Sequence, residues 1–205
     1  MSEKALIYIH GKGGNASAAE GLKPIFPDCD VYGFDYKSEN PWEAETEFRD
    51  YFEKISKDYK SITVVASSLG AYFSMISKVC EYIREAFLIS PVVDMERLIL
   101  DRMTYAKVSE DELEEKGIIT VSEDMVLSLE YLTWVRKHPI AWKVPTHILY
   151  GEKDHLQSQE TMEKFAEAVG ADLTIMTNGE HWFHTEEQLA FMRDWFKKCD
   201  ETVIK

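Results

Sequence analysis

The stretch Val64-Val-Ala-Ser-Ser68-Leu-Gly70 decides the fold, because it joins a strand pattern to a helix pattern through a turn of small residues. Small residues two positions before and after a serine permit a tight, strained turn that lifts the hydroxyl above a sheet. Ala66 and Gly70 hold those positions here, so Ser68, and not Ser67, has the offset of a nucleophile. The alternative is that Ser68 only caps the following helix.

Around this turn, short β-rich apolar runs alternate with amphipathic helix patterns. The runs that predict strands are residues 5–9, 29–34, 61–66, 85–89, 146–150 and 172–176. After the serine turn, helical spacing predicts a buried helix face made of Ile76, Val79, Cys80 and Ile83. Such alternation is typical of a parallel sheet with crossover helices. We therefore predict a three-layer α/β sandwich whose mostly parallel sheet has about six strands.

Residues 92–144 interrupt the alternation. They contain a capping box at residues 109–112 and a helix pattern around residues 127–135, and no strand is needed in them. Because no flexible linker flanks the segment, we predict one domain over residues 1–205, with residues 92–144 as a helical cap insertion. Its apolar stripes either belong to the core or line a pocket; they comprise Leu98, Ile99, Met103, Leu129, Leu132 and Val135.

Composition bounds the class of function. The chain has 205 residues, of which 45% are hydrophobic, enough for a core without metal or disulfide support. Its net charge of −14 argues against nucleic acid or an anionic membrane as a partner. Three cysteines far apart make no disulfide framework. The first residues run into a strand with no signal-peptide pattern, so we expect a cytoplasmic protein without a membrane span.

A glycine-rich loop follows the first strand. Beside a nucleophile, the backbone of such a loop can form an oxyanion hole, and the natural donors are the N–H groups of Lys12 and Leu69. The loop also fits a dinucleotide fingerprint, Gly11-x-Gly13-x-x-Ala16, with Asp35 ending the next strand as a ribose-binding acid would. This second interpretation predicts a dinucleotide-dependent oxidoreductase, and it leaves the serine turn unexplained.

Candidate partners for the serine follow two later strands. A catalytic serine needs an imidazole to take its proton and a carboxylate to hold the imidazole tautomer. Asp154 follows one strand and His181 the next, which gives the chain order Ser, Asp, His that is typical after such a turn. Asp94 is the alternative acid and His184 the alternative base. His181 and His184 could together bind a metal ion, but the sequence shows no evident third ligand for it.

Four motifs together resemble the α/β-hydrolase superfamily, and the chain looks like a compact serine esterase within it. They are IYIHGKGGN (residues 7–15), VVASSLGAY (64–72), HILYGEKD (147–154) and NGEHWFH (178–184). The chain departs from the family pattern where Ala66 replaces the usual glycine and where the usual first hairpin strands are missing.

The resemblance implies roles for five residues. Ser68 would be the nucleophile, His181 the base and Asp154 the acid, and the oxyanion donors would be the N–H groups of Lys12 and Leu69. The implied reaction is hydrolysis of an ester, thioester or similar acyl bond in a small molecule, with no cofactor and no metal. A non-catalytic binding module on the same scaffold is a further alternative.

Overall fold

The computed structural model describes residues 2–203. Its strands are β1 Lys4–Ile9, β2 Asp30–Phe34, β3 Ser61–Ser67, β4 Glu85–Ile89, β5 Ile118–Ser122, β6 Met125–Ser128, β7 Thr146–Gly151 and β8 Asp172–Met176. Six of them form one sheet in the spatial order β2-β1-β3-β4-β7-β8, and every neighbouring pair in it is parallel. The predicted parallel α/β sheet is confirmed.

Helices cover both faces of this sheet. They are α1 Pro41–Ile55, α2 Ser68–Ile76, α3 Met95–Ala106, α4 Glu110–Lys116, α5 Leu129–Lys137, α6 Gln159–Val169 and α7 Glu186–Val203, together with the 3-10 helices Ala16–Leu22 and Cys80–Tyr82. Successive residues of β3 show the layering, because Val64 packs into the hydrophobic cluster on one face and Val65 into the cluster on the other. Such a sheet between two helix layers is a three-layer sandwich.

The helix after the serine turn is shorter than the apolar spacing predicts. It ends at Ile76, because the Ser77 hydroxyl donates back to the carbonyl oxygen of Phe73 (2.6 Å) and Lys78 adopts a left-handed φ of 56°. Val79 and Ile83 are buried as predicted and Cys80 is only partly buried, but all three residues lie beyond α2. For Val79 and Ile83 the prediction of burial is confirmed, but the prediction that they belong to the helix after the serine turn is wrong.

Residues 92–144 hold α3, α4 and α5, but also an antiparallel hairpin made by β5 and β6. The expectation that this segment needs no strand is therefore wrong. Gly117, with φ 71°, ends α4, and the β-branched run that follows it favours a strand. Ile119 and Leu127 face the core across the hairpin, whereas Ile118 and Val126 are exposed.

The apolar stripes of this segment lie in the hydrophobic core. The buried members, in the same cluster as one face of the sheet, are Leu98, Ile99, Met103, Leu132 and Val135, and Leu129 packs against them while only partly buried. This arrangement favours the core interpretation of the stripes over the pocket interpretation. Across residues 2–203, no helix combines the length and the apolar character that crossing a membrane requires.

Candidate active site

Ser68 lies at the sharp junction between β3 and α2. Its φ of 49° is left-handed, a strained conformation for a residue with a side chain. A Cβ at Gly70 would lie 2.2 Å from the carbonyl oxygen of His10, so only glycine lets α2 start this close to the end of β1. Ala66 is fully buried, and its methyl group belongs to the core. The alanine is therefore compatible with the turn.

Three predicted site residues meet at the carboxyl edge of the sheet. The Ser68 hydroxyl lies 2.9 Å from Nε2 of His181, and Nδ1 of His181 lies 2.6 Å from Oδ2 of Asp154. With Nδ1 protonated, the ring donates to Asp154 and accepts from Ser68. The Asp154 side chain has no exposure to solvent and that of His181 has 13%. The contacts between these three side chains therefore lie largely out of water.

The loop after β7 orients the carboxylate of Asp154. Its Oδ1 accepts from the N–H groups of Leu156 (2.8 Å) and Gln157 (3.3 Å), which leaves Oδ2 for His181. This loop is tied to the loop after β8, because the N–H of Lys153 donates to the carbonyl oxygen of Gly179 at 2.8 Å. The acid and the imidazole are thus carried by two loops that hold each other.

The alternative acid and base have other partners. Asp94 caps α3, where its Oδ1 accepts from the N–H of Arg97 at 2.9 Å. The His184 ring donates through Nδ1 to the carbonyl oxygen of Trp182 (2.6 Å), and half of its side chain is exposed. Within residues 2–203, the side chain that forms a hydrogen bond with the Ser68 hydroxyl is that of His181, and not that of His184.

The glycine-rich loop adjoins the nucleophile. A Cβ at Gly11 would lie 3.0 Å from Cβ of Ser68, so the loop backbone passes directly beside the serine. His10 braces the loop: its ring stacks on Tyr36 with centroids 4.6 Å apart and its Nδ1 donates to the carbonyl oxygen of Gly11 at 2.9 Å. The oxyanion role of the Lys12 and Leu69 N–H groups stays a prediction.

The same loop gives little support to the dinucleotide alternative. A bound pyrophosphate needs the N-terminus of an α-helix directly after the glycines, whereas the 3-10 helix Ala16–Leu22 follows here, with Asn15 as its cap. The proposed ribose acid, Asp35, pairs instead with the ammonium of Lys37 at 2.6 Å. The ion pair with Lys37 lowers the pKa of Asp35.

Sequence reasoning missed Gln157, although it is buried beside the acid. Its side chain is 3% exposed and bonds to backbone groups 63 residues away in the chain. A single glutamine in a loop carries no local pattern, and its partners come together only in the folded sheet. No sequence signal could have singled it out.

Neither a known family profile nor a curated protein sequence matches the chain. Solved structures do match it in fold. Est1E from Butyrivibrio proteoclasticus with ferulic acid bound has a TM-score of 0.78 at 16% identity, over 99% of this chain and 91% of that one. Mouse alpha/beta hydrolase domain-containing protein 10 has a TM-score of 0.74 at 14% identity, over 97% and 90%.

An esterase from Pyrococcus furiosus has a TM-score of 0.62 at 18% identity, over 98% of this chain and 81% of that one. At such identities the likeness concerns the fold. The same fold is indicated by the strand order, by the strained turn at the serine and by these structural neighbours. The chain has the α/β-hydrolase fold.

Proposed function

We propose that this chain is a serine hydrolase that cleaves an ester, thioester or similar acyl bond in a small molecule. The observation that carries the proposal is the hydrogen-bonded series from Ser68 through His181 to Asp154, with contacts of 2.9 and 2.6 Å. A solved structure with the same fold is that of an esterase, which supports the proposal of a hydrolytic activity.

The proposed reaction begins when Nε2 of His181 takes the proton of Ser68 as Oγ attacks the acyl carbon. The N–H groups of Lys12 and Leu69 stabilise the negative charge on the substrate oxygen. The tetrahedral intermediate then collapses: His181 gives its proton to the leaving oxygen or sulfur, the alcohol or thiol departs, and the acyl-enzyme remains. Water then attacks the acyl carbon while His181 takes a proton from it; the bond to Ser68 breaks, the acid is released, and His181 returns the proton to Oγ of Ser68. Asp154 holds the ring and stabilises its charged form.

We also propose that residues 92–144 cap the nucleophile. Two contacts support this: the N–H of Val92 donates to the carbonyl oxygen of Ser68 (3.3 Å), and the ammonium of Lys12 donates to the carbonyl oxygen of Asp124 (2.8 Å). Asp124 lies in the turn between β5 and β6, so the hairpin reaches the glycine-rich loop. The cap therefore begins beside the serine and returns beside the predicted oxyanion donor.

A panel of p-nitrophenyl esters of graded chain length tests the proposed activity. The wild-type protein should hydrolyse at least one of them, and Ser68→Ala should lower kcat by about 10³-fold or more. Ser67→Ala is the matched control, because it removes the neighbouring hydroxyl and should keep most activity. An inactive Ser67→Ala beside an active Ser68→Ala would contradict the assignment of the nucleophile.

A further inference from the structure

Gln157 is a buried polar side chain whose amide group is fully hydrogen-bonded. Its Oε1 accepts from the N–H groups of Val93 (3.0 Å) and Asp94 (2.8 Å). Its Nε2 donates to the carbonyl oxygens of Asp94 (3.2 Å) and Leu156 (2.8 Å). A glutamine amide has two donors and two acceptor positions, so this one is saturated, and each bond would cost free energy if lost in a buried place.

The backbone of Gln157 is hydrogen-bonded to the carboxylate of Asp154 and to the hydroxyl of Tyr150. Its N–H donates to Oδ1 of Asp154 (3.3 Å), and its carbonyl oxygen accepts from the hydroxyl of Tyr150 (2.8 Å). Burial raises the pKa of Tyr150 to about 12, which keeps the hydroxyl protonated as a donor. Gln157 is therefore fixed to β7 and to the carboxylate at the same time.

Two of the three residues that the Gln157 side chain bonds, Val93 and Asp94, belong to the segment that supports the nucleophile. Val93 and Asp94 follow directly on Val92, whose N–H donates to the carbonyl oxygen of Ser68. One route from Ser68 to Asp154 runs through the side chain of His181. A second series of hydrogen bonds leads from the backbone of Ser68 through residues 92–94 and Gln157 to Asp154, so the two series together form a closed ring.

We propose that Gln157 is a positioning residue of the catalytic triad, which fixes the loop of Asp154 against the segment that supports Ser68. The inference rests on the proposed function. It matters because a displacement of about 1 Å in a catalytic group can cost roughly 10²-fold in rate. A role in folding alone would lower stability and leave kcat unchanged in the folded variant.

The test compares Gln157→Met with Gln159→Met. Gln159 is the first residue of α6, is exposed, and within residues 2–203 bonds through its side chain to Glu163 on the same helix, so it is the matched control. Gln157→Met should lower kcat by about 10²-fold with KM unchanged, and should slow fluorophosphonate labelling of Ser68 by a similar factor. Gln159→Met should match the wild type in both.

A wild-type kcat in folded Gln157→Met overturns the inference, and so does an equal loss in Gln159→Met. If Gln157→Met does not fold, Gln157→Glu keeps the acceptor for Val93 and Asp94 but loses the donors to the carbonyl oxygens of Asp94 and Leu156, so its kcat should still fall, by a smaller factor, and a wild-type kcat in it overturns the inference too. Amide hydrogen exchange at Val93 and Asp94 needs no variant, and exchange as fast as in an open loop would contradict the bonds. A wild type that neither turns over esters nor labels would reject the proposed function instead.

Discussion

Two histidine–carboxylate clusters lie at opposite ends of β7. In each, one ring nitrogen faces a carboxylate, and the clusters differ in the group that faces the other nitrogen. Beyond the carboxyl end, His181 has Asp154 on Nδ1 and Ser68 on Nε2. At the amino end, His147 has the carboxylates of Asp172 (3.3 Å) and Glu85 (3.2 Å) on its two nitrogens. An imidazole can act as a base only where one nitrogen is left for the group that gives up a proton.

The charge around His147 gives it a different role. Its contacts with the Cys199 thiol and the Glu85 carboxylate raise the pKa of His147 to about 10. The ring is therefore protonated at neutral pH and links strands: Glu85 belongs to β4, and Asp172 is its register partner on β8. The same residue types thus stabilise the sheet at one end and compose the candidate active site at the other.

Exchanging the two histidines for glutamine should separate these roles most clearly. His181→Gln should lower kcat for an accepted ester by about 10³-fold or more, because it removes the base. His147→Gln should keep kcat and lower the melting temperature. Steady-state kinetics and thermal unfolding of both variants check this. A severe loss in His184→Gln, with His181→Gln active, would move the base to His184.

Asp154 and Asp94 likewise have different roles, one in the candidate active site and the other in stabilising the fold. Asp154→Asn should lower kcat by about 10²–10⁴-fold with little change in KM, since the carboxylate acts on the transient imidazolium. Asp94→Ala should keep kcat and lower the free energy of unfolding by about 1 kcal/mol, because it removes a helix cap. Kinetics and urea unfolding of each variant provide the measurement, and an inactive Asp94→Ala would overturn the assignment of the acid.

Alkaline pH should weaken the His147 cluster. The pKa of His147 in the folded state, about 10, lies above the ordinary value of 6.5, so the folded protein binds a proton that the unfolded chain releases. This contribution is complete below about pH 6.5 and is lost as pH rises through 10. The free energy of unfolding should fall over that range in the wild type, and less so in His147→Gln. Parallel slopes for the two proteins would contradict the role of His147.

Local patterns were sufficient to predict most of the sheet and to bring together the three side chains of the candidate site. β4 and β8 have the bounds that their apolar runs predict, and Ser68, Asp154 and His181 each follow a predicted strand. The reason is that carboxyl ends of parallel strands meet at one edge of a sheet, so motifs after strands converge there.

What the sequence could not predict depends on distant contacts or on competing local preferences. Asp94, which Gln157 bonds, lies 63 residues away in the chain. The helix α2 ends early because the Ser77 hydroxyl donates to the carbonyl oxygen of Phe73 in its own helix, and the carbonyl oxygen of Ala44 on α1 lies close to the same hydroxyl. The hairpin of β5 and β6 did carry a signal. Its β-branched residues follow Gly117, and a helical interpretation of the whole segment passed over them.

The central claim is that Ser68 is an activated nucleophile, and fluorophosphonate labelling with peptide mapping by mass spectrometry tests it most directly. The wild-type protein should gain one phosphonyl group on Ser68, while His181→Gln should label far more slowly, and His147→Gln should label at the wild-type rate. No labelling of the folded wild type, or an adduct on Ser67, would contradict the account.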